Sequence, residues 1–189
     1  MVITLMVWLP SLPASSAGAK PENFDRYLQK LGGIKIPRIP PPMDFVLSDL
    51  EGHKVRLSNF KGQVVLLNFW TTWCPECRVE MPDLEKLHQH FKDRSFVLLA
   101  VDLREPLNKV KRFFDNHKLS FTALLDSDGR VSHSFGIRSI PTTFIIDQSG
   151  GMVGKVIGSR KWNSPDAIAF FEQLISSRSN GVISEKAAQ

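Results

Sequence analysis

Cys74 and Cys77 are the only cysteines of the chain, three positions apart in the run WTTWCPEC (70–77), directly after the apolar stretch VVLLNF. Thiols at this spacing can do three kinds of chemistry: staple the chain, supply half of a metal site, or cycle between dithiol and disulfide. A zinc centre takes about four ligands, and this is the single CxxC pair. The histidines at 53, 88, 90, 117 and 133 fall in a turn, on helix faces or in loops, without ligand spacing. A disulfide closing so short a loop removes little chain entropy, which weakens the staple reading. The redox reading draws on position. A thiol where a buried strand gives way to a helix lies among free backbone N–H groups, which stabilise a thiolate and lower its pKa. Cys74 is so placed, with Pro75 in the first helical turn. Cys77, one turn on, is close enough to form a disulfide and less exposed, as a resolving thiol should be.

The elements that must hold the pair are legible from hydrophobic period. VVLLNF (64–69) is an unbroken apolar run, suited to a strand covered on both faces. ECRVEMPDLEKLHQHF is helical, with Met81, Leu84, Leu87, His88 and Phe91 on one side and Pro82 as a kink. FVLLAVD (96–102) is a second buried strand. EPLNKVKRFFDNHK (105–118) reads as a helix that starts at its proline and turns Leu107, Val110, Phe113 and Phe114 inward. FTALLDSDGR is a strand ending in a turn, followed by a short helical VSHSFGI. TTFIIDQSGGMVGKVIG (142–158) is an antiparallel hairpin, and the last helix is capped by Ser164 with Pro165 at its first position. Upstream, NFDRYLQKL forms a short amphipathic helix. IKIPRIPPPMDF carries four prolines, which exclude a central strand and leave an extended leader. DFVLSDLEGHKVRLSNF gives two short strands around Glu51-Gly52. The sum is an α/β fold, a mixed central sheet with parallel core and antiparallel edge.

At 189 residues, 42% apolar and 23% charged, the chain suffices for one domain with a sizeable core. A net charge of +5 is too small and scattered to indicate nucleic acid. The N-terminal MVITLMVWLPSLPASSAGAK has no charge before Lys20. It runs from an apolar stretch into small residues ending Ala17-Gly18-Ala19, the pattern of a secretory signal or short anchor, although the basic start of such a signal is missing. The apolar part is shorter than the ~20 residues that span a bilayer.

FWTTWCPEC resembles the active site of the thioredoxin superfamily, and the stretch from Pro41 to Ile175 resembles the exported or membrane-associated TlpA/ResA type within the AhpC/TSA-redoxin grouping. NFKGQVVLLNFWTTWCPEC, CRVEMPDLEKL, DSDGRVSHSFGI, GIRSIPTTFIID and GKVIGSRKWNSPDAIAFFEQLI carry the likeness. It implies a thioredoxin-like fold with helices on both faces of the sheet, an N-terminal β-hairpin and a central β-α insertion. The corresponding division is residues 1–19 as signal or anchor, 20–42 as helix and proline-rich leader, 43–178 as the thioredoxin-like domain and 179–189 as a flexible tail. By the same resemblance Cys74 is the nucleophile, Cys77 the resolving thiol and Pro141 a cis-proline against the redox-active disulfide. Ser139, Ile140 and Pro141 would offer backbone groups to a client strand. Glu80, one turn beyond Cys77, matches the subfamily's acidic residue and can hold or release a proton. Glu76 faces solvent between the cysteines and raises thiol pKa values by like-charge repulsion. Trp73, with Pro75 and Glu76, is placed for substrate contact, and Trp70 supports the site from the core. The linker Pro-Glu replaces thioredoxin's Gly-Pro, and thioredoxin's buried acid has no evident match in VVLLNF.

The resemblance further implies a protein-disulfide reductase outside the cytoplasm, with no cofactor, re-reduced by a membrane thiol transporter. Its clients would be exported thiols such as apocytochrome c haem-binding cysteines. Two other readings stay open. A thiol peroxidase of the AhpC/TSA type is one: Thr71 stands three before Cys74, but Leu67 occupies the place of the expected proline. A non-catalytic thioredoxin-fold binding module is the other.

Overall fold

A computed structural model describes residues 24–41 and 44–177. The expected signal or anchor and the C-terminal tail lie outside the described residues. Among these no helix is long and apolar enough to cross a membrane.

The centre of the fold is β4 (Val64–Trp70), buried at every position. It pairs in parallel with β5 (Phe96–Leu103) and antiparallel with β7 (Thr142–Ile146). Such a strand needs apolar side chains on both faces, which explains why VVLLNF shows no alternation. Outward from β5 lie β6 (Thr122–Asp126), β2 (Val46–Ser48) and β3 (Lys54–Arg56); outward from β7 lie β8 (Met152–Ile157) and β1 (Gly33–Ile39). The eight-stranded order is β1-β8-β7-β4-β5-β6-β2-β3. The proline-containing segment is therefore more than a surface leader: it forms an edge strand, β1, antiparallel to β8. Pro37 stands where the register shifts between Lys35 and Ile39, a place that tolerates a residue without an N–H.

Two cores flank the sheet. Leu66, Trp70, Leu98, Ala100 and Ile145 face one way, packed with α1 (Phe24–Lys30), α2 (Pro75–Phe91), α3 (Leu107–His117) and α5 (Pro165–Ser176). Val65, Leu67, Phe69, Leu99 and Val101 face the other, under Leu57, α4 (Arg130–Ser134) and Phe135. Period-two alternation thus sends even-numbered β4 residues toward α2. Asn68 is the polar member of that row. In α3, Pro106 is the N-cap, outside the first turn, and Leu107 is exposed, which corrects the expectation that it turns inward. Val110, Phe113 and Phe114 do face the core. Helix α5 has Ser164 as its cap, accepting from the Ala167 N–H, with Pro165 at its first position.

Candidate active site

Strand β4 ends at Trp70, and Thr71-Thr72-Trp73 carry the chain to α2. Cys74 is the N-cap of that 17-residue helix, in extended conformation. Its sulfur accepts from the Cys77 N–H at 3.1 Å, and Pro75 takes the first helical position, where no N–H is needed. Cys74 and Cys77 form a disulfide with a Cα–Cα separation of 5.3 Å. Cys77 is fully enclosed, and Cys74 keeps a 4% opening. Sheet pairing of β4 with β7 brings a second loop to the same end. The Ile140–Pro141 peptide in that loop is cis, and the Ile140 carbonyl oxygen lies 3.8 Å from Cys74 Sγ. The Pro141 carbonyl accepts from the N–H of Gly158, at 2.8 Å, whose φ of 84° suits a residue without a Cβ. Ser139 is exposed and its carbonyl accepts from the Thr142 hydroxyl.

Glu80, one helical turn past Cys77, is 1% exposed. Its Oε1 accepts from Asn68 Nδ2 at 2.9 Å; its Oε2 accepts from Trp162 Nε1 at 2.8 Å and from the Arg160 N–H at 3.2 Å. Burial pushes its pKa up to about 7, against the pull of those donors toward the ionised form. A carboxyl so poised can take or give a proton near neutrality. Glu76 is exposed and accepts from the Ser159 hydroxyl at 2.7 Å. The loop 158–162 is thus tied to α2 at both Glu76 and Glu80. Arg160 fastens the same loop to the end of α1, donating to the Leu31 carbonyl at 2.7 Å. Trp73 stands 63% exposed beside the disulfide. Trp70 is fully buried, its ring 5.1 Å from that of Phe113.

Sequence reasoning named the cysteines, Glu80 and the Ile140–Pro141 pair, and the fold brings these to one sheet end. It missed Asn68, Trp162 and Arg160, which hold the Glu80 carboxyl. Asn68 had a signal: it is the one strongly polar residue in a wholly apolar strand, on the row that faces α2. Trp162 and Arg160 lie more than 80 residues downstream of Asn68 and nothing local marks them. Also unforeseen is a buried acidic pair, Asp102 at the end of β5 and Glu105 just beyond it, against the Thr72 loop. Groups of three or more metal-ligating side chains are absent among the described residues.

A model of the AhpC/TSA family matches residues 40–154. The chain is 42% identical over 111 residues to the thiol-disulfide oxidoreductase ResA of Halalkalibacterium halodurans, covering 59% of this chain and 63% of that one. It is 34% identical over 137 residues to the ResA of Bacillus cereus, covering 72% and 78%. Among solved structures, StoA from Bacillus subtilis superposes with a TM-score of 0.59 at 30% identity, covering 72% of this chain and 98% of its own. A thiol:disulfide interchange protein of the thioredoxin family from Chlorobium tepidum superposes at 0.65 with 25% identity, covering 74% and 99%.

Proposed function

The chain belongs to the AhpC/TSA family and is a thiol-disulfide oxidoreductase; we propose that it works as a reductase of protein disulfides outside the cytoplasm, with Cys74 attacking and Cys77 resolving. The Cys74 thiolate attacks one sulfur of a client disulfide, the client S–S bond breaks, and its other sulfur leaves as a thiolate that takes a proton. Cys77 then loses its proton, attacks Cys74 Sγ and breaks the mixed disulfide, releasing the second client thiol. Two electrons pass from the dithiol to the client, and a membrane thiol donor restores the pair.

The observation that carries this reading is Glu80, a buried carboxyl one turn beyond Cys77 with its pKa raised to about 7. Ionised, it can accept the Cys77 proton; protonated, it no longer keeps a charge in the apolar core. Exposed Trp73 and half-buried Ile140 offer a client an apolar contact, and the exposed Ser139 lies next to Ile140 in the loop that reaches Cys74. Export is supported by the N-terminal apolar segment ending in small residues. Against the peroxidase alternative, Leu67 occupies the place of the expected proline, and a cysteine pair within one helical turn suits dithiol–disulfide exchange.

The test is a Cys77→Ser variant offered a disulfide-bonded client, alongside the equilibrium potential of the native pair in glutathione or dithiothreitol buffers. A mixed disulfide accumulating on Cys74 and a potential near or below about −200 mV support the reductase. A potential near roughly −120 mV makes the protein an oxidant and reverses the direction.

A further inference from the structure

Asp102 and Glu105 form a buried acidic pair on the side of the active-site loop away from Glu80's partners, and the dithiol exchange does not use it. Asp102 is fully buried at the end of β5, in register with Trp70, the last residue of β4. Its Oδ1 accepts from the Glu105 N–H at 3.0 Å, and its Oδ2 finds no donor. Glu105 is nearly enclosed and directed at the loop that carries Cys74. Its Oε2 accepts from the Thr72 N–H at 2.5 Å, and its Oε1 accepts from the Thr72 hydroxyl at 2.7 Å and pairs with Lys109 Nζ at 2.5 Å. Each carboxyl bears on the titration of the other. Two neighbouring carboxylates out of water repel each other, which favours a proton on one of them.

Chemistry decides which one. Glu105 has two Thr72 donors and the Lys109 ammonium to stabilise its charge, and these, with Asp102, hold its pKa low in spite of burial. Asp102 has one backbone donor and an orphaned oxygen in the core, where an unpaired charge is costly. Burial, then the neighbouring Glu105, raises its pKa to about 8. A proton on Oδ2 converts the orphaned acceptor into a donor toward Glu105 and satisfies both groups. The charged groups acting on Asp102 are Glu105, on the loop leaving its own strand, and Lys109 on α3. Its register neighbours Trp70 and Leu125 bring none.

We propose that Asp102 is a positioning residue for the attacking thiol: carrying a proton, it donates to Glu105, which grips the Thr72 backbone and hydroxyl and so fixes the loop that sets Cys74 at the helix N-terminus. Thr72 is two residues before Cys74, so a shift there moves the sulfur relative to the N–H groups that stabilise its thiolate. The inference rests on the proposal that Cys74 is the attacking thiol.

The experiment is the pH dependence of iodoacetamide alkylation of the reduced full chain, with mass-spectrometric mapping of the labelled cysteine. Wild type is compared with D102N, D102A, T72S and T72V. Asparagine supplies a fixed donor in place of the acid, and serine keeps the hydroxyl that valine lacks. The expected result is label on Cys74, with D102N and T72S within about twofold of wild type at about pH 6.5. D102A and T72V should react about tenfold more slowly there, through a raised Cys74 pKa. A merely structural role would change the unfolding midpoint and leave the thiol pKa in place. Wild-type thiol pKa values in D102A and T72V, or a D102N as slow as D102A, would overturn the proposal. First label on Cys77 would overturn it together with the assignment of the nucleophile. Should D102A fail to fold, the isosteric variant T72V against wild type, with T72S as the hydroxyl-keeping control, decides the same question.

Discussion

Replacing Glu80 by glutamine is expected to flatten part of the pH dependence of stability of the oxidised protein. Glu80 is enclosed, with a pKa near 7 in the fold against an ordinary carboxyl value of 4.5. At about 1.36 kcal/mol per pH unit, that gap amounts to roughly 3.4 kcal/mol. The folded state holds the proton more tightly than the unfolded chain. Stability from this group is therefore fully present below about pH 4.5 and is lost as pH rises through about 7. Between pH 5 and pH 8 the wild type should lose about 2.5 kcal/mol from Glu80 alone, and Glu80→Gln should lose none of it. Glutamine can be accommodated: its oxygen accepts from Trp162 and Arg160, while Asn68 can turn the Oδ1 that now lacks a donor toward the new amide. Urea unfolding of both oxidised proteins, followed by circular dichroism at the two pH values, gives the difference of differences. Other titrating groups are common to both proteins and cancel. A difference below about 1 kcal/mol would refute the claim that Glu80 is held protonated into the neutral range.

Trp162→Phe removes the indole donor to Glu80 Oε2, so the Glu80 pKa should move further up and stability at pH 8 should fall by about 1–3 kcal/mol, with a smaller loss at pH 5. Urea titrations at both pH values check it, and equal losses would count against the assigned bond. Met81→Ala empties space behind the cysteines, where Met81 is fully buried, and should cost about 2–5 kcal/mol in the same assay. Trp73→Ala touches an exposed ring and should leave stability within about 0.5 kcal/mol of wild type while slowing insulin-disulfide reduction. An unchanged turnover would remove Trp73 from client contact.

The fold was largely legible because its elements declare themselves locally. VVLLNF and FVLLAVD are too uniformly apolar for anything but strands covered on both faces, and β4 and β5 are those strands. Ser164-Pro165 marks the start of α5 by its capping chemistry alone. Local signals fared worse at edges. Prolines excluded a central position for residues 33–39, but whether they pair at all depends on β8, more than 110 residues away. Leu107 looked like a core residue by type and by its spacing from Val110 and Phe114, yet it is the first residue of α3 and stays exposed at the helix end.

The same division runs through the site. Sequence by itself determined the reactive pair, its position between a strand and a helix, and Glu80 one turn further on, because these lie within seven residues and helical geometry relates them directly. Only the tertiary structure decided what surrounds them. The cis Ile140–Pro141 peptide reaches Cys74 because β7 lies beside β4, and the Glu80 carboxyl is held by Asn68 from the sheet and by Trp162 and Arg160 from the loop before α5. The Asp102–Glu105 pair meets Thr72 because β5 ends beside β4. A pKa depends on desolvation and on donors arriving from every side, and neither is a property of residues near in sequence.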